Sequence, residues 1–210
     1  MTTSDALGEL LHRAAGGSFP PEDGRVAVVP RCPPGDRDWV VSFTAHAVVA
    51  TRRSPDEVLA QEPDGYGGAV APRFLLWLAG SGGTVGCQDA LLVARGRGGG
   101  SLPARTDLEE HPRVRLARRL RQGVGVHGDA RGFVTLGTGL AGITEMSVET
   151  ADPTVPGAGR ELIVEALCLA DAGRTVLAQV TPGNARSLRA FLAAGFVPIG
   201  SAVAVTPAAS

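Results

Sequence analysis

The 210 residues suffice for one sizeable domain, or a domain with a smaller unit appended. Hydrophobic residues at 44% and charged ones at 20% are ordinary for a soluble protein with a real core. A net charge of −1 argues against a chain-wide footprint for nucleic acid or an anionic membrane.

In chain order, residues 4–15 place Leu7, Leu10 and Leu11 at helical spacing, and Gly16-Gly17 stop the pattern. Residues 25–30 (RVAVVP) read as a short strand, and residues 39–50 (WVVSFTAHAVVA) as a longer β-rich stretch. Ser54-Pro55-Asp56-Glu57 opens a short helix with a cap residue, a proline in the first turn and early acids. Residues 75–78 and 91–94 are further apolar pieces, and no apolar run approaches the roughly 18 residues of a membrane span. A shift of composition follows at residues 95–103 (RGRGGGSLP), where glycine makes regular structure expensive. This divides the chain into residues 1–100, an N-terminal extension or module, and residues 101–210.

The second half is patterned more clearly. Residues 106–122 read as a helix with Leu116 and Leu120 inward, ended by Gly123. Residues 124–127, 133–136 and 143–149 are strand-like, and their glycine-rich connections predict an antiparallel meander. A loop over 151–159 feeds a helix over 160–172, residues 175–180 form a strand, and Pro182-Gly183-Asn184 caps a helix to Ala194. Gly195 closes that helix, and residues 196–205 form the last strand. The order β-β-β-α-β-α-β predicts a mixed α/β fold.

Gly157-Ala158-Gly159 stands between a strand and a helix with an apolar stripe (Leu162, Ile163, Ala166, Leu167, Ala170). Glycines there let the backbone approach a bulky anion, and the exposed N–H groups of a helix start favour negative charge. It is no Walker motif, because no Gly-Lys-Ser/Thr follows, and Leu162 holds the place of a dinucleotide fingerprint's third glycine. The three cysteines, Cys32, Cys87 and Cys168, form no CxxC pair, and neither a disulfide framework nor a metal site is expected. Cys168 reads as a small buried hydrophobe. The first residues lack the basic start and apolar stretch of a signal peptide, so a cytoplasmic location is expected.

From residue 157 to 200 the chain reads GAGRELIVEALCLADAGRTVLAQVTPGNARSLRAFLAAGFVPIG, and this resembles the GCN5-related N-acetyltransferase superfamily. In that pattern a strand leads into an (Arg/Gln)-x-x-Gly-x-(Gly/Ala) loop opening a helix, and the next strand leads into an Asn-initiated helix ending in Gly-Phe. Here residues 154–159 occupy the loop, Asn184 the helix start and Gly195-Phe196 the exit. The resemblance covers roughly residues 106–206. It implies a mixed, largely antiparallel central sheet of the acyl-CoA N-acyltransferase type with helices on both faces. It implies also an acetyl-CoA-dependent N-acetyltransferase acting on a small-molecule or peptide amine, with acetyl-CoA as co-substrate. The backbone of Val155, Pro156, Gly157, Ala158, Gly159 and Arg160 would hold the pyrophosphate, with the Arg160 cation nearby. Met146, Ser147 and Val148 would lie beside the pantetheine arm, the N–H near Val148 polarising the thioester carbonyl. Asn184 would contact the same arm as well as capping its helix, and Ser187 and Phe191 would line the cleft or the core.

Two positions depart from the pattern. Thr154 replaces the first Arg or Gln of the loop. Phe191 stands where the family has a tyrosine that protonates the leaving thiolate, and a phenyl ring donates no proton. Tyr66 is the only phenol in the chain, and solvent could protonate a thiolate whose conjugate thiol has a pKa of about 8.5. Phe191→Tyr is expected to raise turnover if the missing acid is limiting. For the general base, Glu145, Ser147 and Glu149 alternate onto one strand face, and Glu145 is favoured over Glu149, which nears the loop. His127 is a further candidate, with an ordinary pKa of about 6.5. Each has the alternative of being a solvated or hydrogen-bonded side chain.

Arg113, Arg115, Arg118, Arg119 and Arg121 crowd nine residues. They form either a solvated helix face or a surface for an acidic substrate, coenzyme phosphates or nucleic acid, the last disfavoured by the net charge. A non-catalytic acyl-CoA-binding module of the same fold is the second reading, and dimerisation through the last strand stays open.

Overall fold

A computed structural model describes residues 6–32 and 35–208 of the chain. The first two residues of the helix expected over 4–15, Ser4 and Asp5, lie outside the described residues. The chain divides into two compact units. The first runs to Leu91 and takes up the C-terminal segment from Ile199; the second is Leu92–Pro198.

The first unit opens with α1 (Ala6–Ala15), whose Leu7, Leu11 and Ala14 are buried. Strand β1 (Val26–Pro30) pairs in parallel with β3 (His46–Thr51). The single β-rich stretch expected over 39–50 is a hairpin: β2 (Asp38–Phe43) pairs antiparallel with β3 across a tight turn at Ala45, which has a φ of 50°. α2 (Pro55–Leu59) carries a complete capping box between Ser54 and Glu57. α3 (Pro72–Ala79) buries Phe74, Leu75 and Leu78 against Val40, Val49 and Val203. With β4 (Thr84–Arg95) and β9 (Val197–Thr206), the strand order is β1-β3-β2-β9-β4. Asp38 is 2% exposed and makes an ion pair with the partly buried Arg31 at 2.7 Å, its second oxygen accepting from Thr51 Oγ1.

The second unit contains α4 (Pro112–Leu120), β5 (Gln122–Asp129), β6 (Gly132–Thr138), β7 (Thr144–Thr150), α5 (Ala158–Leu169), β8 (Thr175–Val180) and α6 (Ala185–Ala193). Strands β5, β6 and β7 form the predicted antiparallel meander. β8 joins β7 in parallel, giving the order β8-β7-β6-β5, with the last residues of β4 beside β8. The chain is thus α/β with mixed strand pairing, largely antiparallel as expected. In this unit helices cover both faces. Val126, Phe133 and Val114 cluster beneath α4, while α5 packs on β6 and β7 from the side of Val134 and Met146.

The helix expected over 106–122 is shorter and differently rotated. His111 caps it by accepting the Arg113 N–H, and Pro112 takes the first position. Val114 and Ala117 face inward; Leu116 is 38% exposed and Leu120 half-buried. A stripe centred on Val114 and Ala117 carries Arg121 inward with it. An arginine holds that inward place because the sheet offers it a carboxylate, so counting leucines alone sets the wrong phase. The helix ends as Arg121 turns extended, and Gly123, at a φ of 60°, lies within an irregularity of β5.

The glycine-rich segment after β4 has a definite task. The N–H groups of Arg97, Gly98 and Gly100 donate to the carbonyls of Leu167, Ala170 and Cys168, and Gly96 N–H donates to Arg174. The carbonyls of Leu167, Cys168 and Ala170 lie at and just past the end of α5, where a helix cannot satisfy them by itself. A Cβ on Gly96 would stand 2.3 Å from the Asp171 carbonyl oxygen, and one on Gly100 2.6 Å from the Cys168 carbonyl carbon. Backbone meets backbone too closely there for any side chain.

Candidate functional site

The parallel strands β7 and β8 both release their chains at the same end of the sheet, β7 into the loop before α5 and β8 into the turn before α6. Crevices beyond the carboxyl ends of parallel strands are where α/β sheets hold ligands. The ladder between these two strands is short: Thr144 pairs with Val176 and Glu145 with Leu177, and the described register ends there. From Met146 onward β7 keeps its antiparallel pairing to β6 alone.

The loop from β7 is built to leave a helix start open. Asp152 accepts the N–H and the hydroxyl of Thr154 at 2.8 and 2.6 Å, and these bonds hold its carboxyl below the usual range. Thr154, the first loop position of the motif, is therefore spent on the loop's own turn. Gly157 sits at the N-cap with a φ of 83°, a left-handed conformation that costs an L-residue strain, and no side chain caps the helix behind it. The first intrahelical bond is Glu161 N–H to the Gly157 carbonyl, at 3.0 Å. Val155, Pro156 and Gly157 are exposed, Ala158 is buried and Gly159 half-buried. The open N–H groups and helix dipole suit an anion. Arg160, exposed, donates its Nε to the Ala193 carbonyl at 3.1 Å, tying the start of α5 to the end of α6.

On α6, the Asn184 Oδ1 accepts the Ser187 N–H at 3.1 Å, as an N-cap does. Phe191, left between cleft and core by the sequence, is in the core. It is 3% exposed and meets Phe196 edge to face, with centroids 4.9 Å apart.

The candidate bases are not brought together. Glu145 and Glu149 share the α4 face with half-buried Ser147. Glu149 receives Arg113 at 3.0 Å, both side chains about 40% exposed. Glu145 is 4% exposed with both oxygens engaged, Oε1 by Arg121 at 2.8 Å and Oε2 by the Gln179 amide at 3.1 Å. The spacing is physically consistent. Arg113 and Arg121 lie eight residues or about 12 Å apart along a helix, and Glu145 and Glu149 four residues or about 13 Å apart along a strand. His127 is paired with Val134 on the other face, and its Nδ1 donates to the Leu102 carbonyl at 3.2 Å. It lines a separate concavity of about 350 Å³ with Thr144, Asp171 and Arg174. Met146, buried, and Val148, half-buried, also face away from α4.

Of this network, Arg121 entered the sequence reading only as one of the clustered arginines, and two residues escaped it, Thr135 and Gln179. Arg121 Nη1 donates to Thr135 Oγ1 at 3.0 Å, and Thr135 Oγ1 lies 2.7 Å from Ser147 Oγ. The signal for the last two was a single polar residue inside an apolar strand, Thr135 between Val134 and Leu136, Gln179 between Ala178 and Val180. The arginines of α4 are largely spent on acids. Besides Arg113 and Arg121, Arg118 pairs with Glu109 at 2.6 Å and Arg115 with Glu110 at 3.6 Å. Cys168 donates its thiol to the Val164 carbonyl within α5, at 3.6 Å.

Beside the first turns of α5, Arg131 binds Asp129, Glu161 and Glu165. Hydrogen bonds to Asp129 and Glu165 raise the Arg131 guanidinium above its ordinary value, and those from Arg131 hold the Asp129 carboxyl below its own. A depressed carboxylate contributes stability above its unfolded pKa and loses it as pH falls through the folded value. The stability advantage of the native chain over Asp129→Asn should therefore be constant near neutrality. It should shrink as the pH falls below about 3.9, as denaturant melts at stepped pH would show. An advantage that grows in acid would contradict this.

Among the described residues no cluster of three or more His, Cys, Asp or Glu is arranged for a metal ion, and no helix is long and apolar enough to cross a membrane. No family model and no curated protein matches the chain. Among solved structures it is similar to a GCN5-related N-acetyltransferase from Kribbella flavida, at 13% identity and a TM-score of 0.43, over 100% of this chain and 97% of that one.

Proposed function

We propose that the second unit is an acetyl-CoA-dependent N-acyltransferase module that acetylates an amine. The observation that carries this reading is the early end of the β7–β8 ladder at Glu145 and Leu177, beside an uncapped helix start. Main-chain groups of β7 from Met146 onward are then free to pair with an extended arm bearing amides, much as a further strand would. The residues fit the coenzyme. Gly157 leaves open space where a side chain would stand, with nothing nearer to an added Cβ than Glu161 Oε1 at 3.7 Å, and the first-turn N–H groups of α5 suit a pyrophosphate. Asn184, which opens α6 after β8, would contact the same arm.

Acetyl-CoA would supply an activated acetyl thioester. The chain's contribution is to hold it, to direct the Val148 N–H at the carbonyl oxygen, and to take a proton from the amine. Glu149 suits the last task better than Glu145, since Glu149 is accessible and Glu145 has no free oxygen. His127, on the other face, has no part in this scheme. The carboxylate partners of Arg113, Arg115, Arg118 and Arg121 weigh against nucleic acid as a ligand.

The second reading, a binding module without catalysis, is favoured by one observation: the position of the family's acid is a phenylalanine sealed in the core. Calorimetric titration with acetyl-CoA tests both readings, and absence of binding at millimolar coenzyme would sink them together. Gly157→Val should weaken acetyl-CoA by about tenfold or more, equivalent to about 1.4 kcal/mol, because a β-branched residue resists this φ and crowds the cradle. Unchanged affinity would overturn the loop assignment. Thiol release across a panel of amines then separates catalysis from binding alone.

A further inference from the structure

Arg121 and Glu145 form an ion pair with side chains 7% and 6% exposed, yet the mechanism above uses neither. What the pair controls is the direction of a proton. An arginine only donates. Arg121 Nη1 donates to Thr135 Oγ1 at 3.0 Å, so that bond occupies a lone pair of Thr135 and leaves its hydroxyl hydrogen to be placed. Thr135 is fully buried, and the acceptor in reach is Ser147 Oγ at 2.7 Å. Thr135 therefore donates to Ser147. Ser147 Oγ has Arg121 Nη1 as its other neighbour, at 3.5 Å, again a donor. The Ser147 hydrogen thus has no acceptor in this network. Ser147 is half-buried, so its hydroxyl is reachable, and it lies two residues past the point where β7 and β8 cease to pair.

We propose that Ser147 is a preorganised hydrogen-bond donor to the sulfur of a bound coenzyme, oriented by Arg121 through Thr135. The proposal rests on the acyl-CoA reading of this site. Its chemistry is stabilisation of charge. When the carbon–sulfur bond of a thioester breaks, the bonding pair stays on sulfur, and Ser147 keeps its own proton while donating a hydrogen bond to that charge. The cation of Arg121, held in place by Glu145, polarises both hydroxyls in the same sense. Such a donor fills the gap left by Phe191 without needing a phenol. Arg121 is a positioning residue here, and Glu145 positions Arg121.

The test uses free CoA and the full chain, so it needs no amine substrate. The thiolate of bound CoA is followed by its ultraviolet absorbance as pH is raised, in the native chain and in Ser147→Ala. The acid constant of the bound thiol should be about tenfold larger in the native chain, one pKa unit. Ser147→Thr, which keeps a hydroxyl, should restore most of it, and Thr135→Val should give an intermediate value. Binding with identical titrations in the native chain and Ser147→Ala overturns the proposal and leaves the acyl-CoA reading standing. Failure of the native chain to bind CoA overturns that reading, and this one with it. Should Ser147→Ala fail to fold by circular dichroism, Thr135→Val decides by the same titration.

Discussion

Arg121→Met is expected to lower the unfolding free energy by about 3–5 kcal/mol, a large share of the roughly 5–15 kcal/mol that holds an ordinary domain folded. The loss does not measure the worth of the ion pair. It measures the cost of leaving Glu145 buried with only the Gln179 amide for company, and of taking from Thr135 Oγ1 the donor it accepts. Hence the companion expectation: Arg121→Met combined with Glu145→Leu should recover much of the loss, because apolar residues often replace a buried pair at little cost. Urea melts of both variants check this. A single variant within about 1 kcal/mol of the native chain would mean that water reaches Glu145, and Glu145 would then return as a candidate base.

Phe191→Ala should cost about 3–5 kcal/mol, the range for emptying a buried aromatic site. Phe191 stands at 3% exposure, edge-on to Phe196, so the variant empties a buried site and loses the ring contact as well. The more instructive variant is Phe191→Tyr. From sequence alone it promised a gain in turnover by restoring an acid. From its place in the core it should instead lose about 1–3 kcal/mol, since the new hydroxyl enters a packed site, and it should leave thiol release unchanged. A faster enzyme with undiminished thermal stability would show that this ring edge reaches the cleft after all.

These two residues also mark where sequence reading succeeded and where it stopped. Features with local causes were legible. The run TVLAQV is β8 to the residue, Asn184 caps α6, and glycine connections mark the meander's turns. Each follows from propensity or from a backbone group needing a partner nearby. Features whose cause lies across the fold were not. The inward face of α4 was set by a carboxylate on β7, some two dozen residues away, so the leucine spacing pointed to the wrong side. β4 runs over Thr84–Arg95, but only its last apolar third was visible, because its first half is largely exposed and reads as polar. The end of the β7–β8 ladder leaves no mark on either strand's own composition, and only the resemblance, which put a coenzyme arm beside Met146, Ser147 and Val148, pointed to it. Of the candidate site, the loop and the cap were on the page as motifs. The network that directs Ser147 was not, being assembled from single polar residues on separate elements.

The glycine-rich segment after β4 invites a different use of the scissors than its composition suggests. It looks like a tether, and a tether can be cut. Yet its amides are the terminal plug of a helix that begins about sixty residues later, supplying Leu167, Cys168 and Ala170 with the donors those carbonyls lack. A fragment begun at residue 101 would carry α5 with its far end unplugged, and α5 is the helix whose near end faces the proposed coenzyme. Excision of the second unit therefore has to keep everything from Gly96 onward, and the seam lies on the strand side of the glycines, before the compositional change is complete.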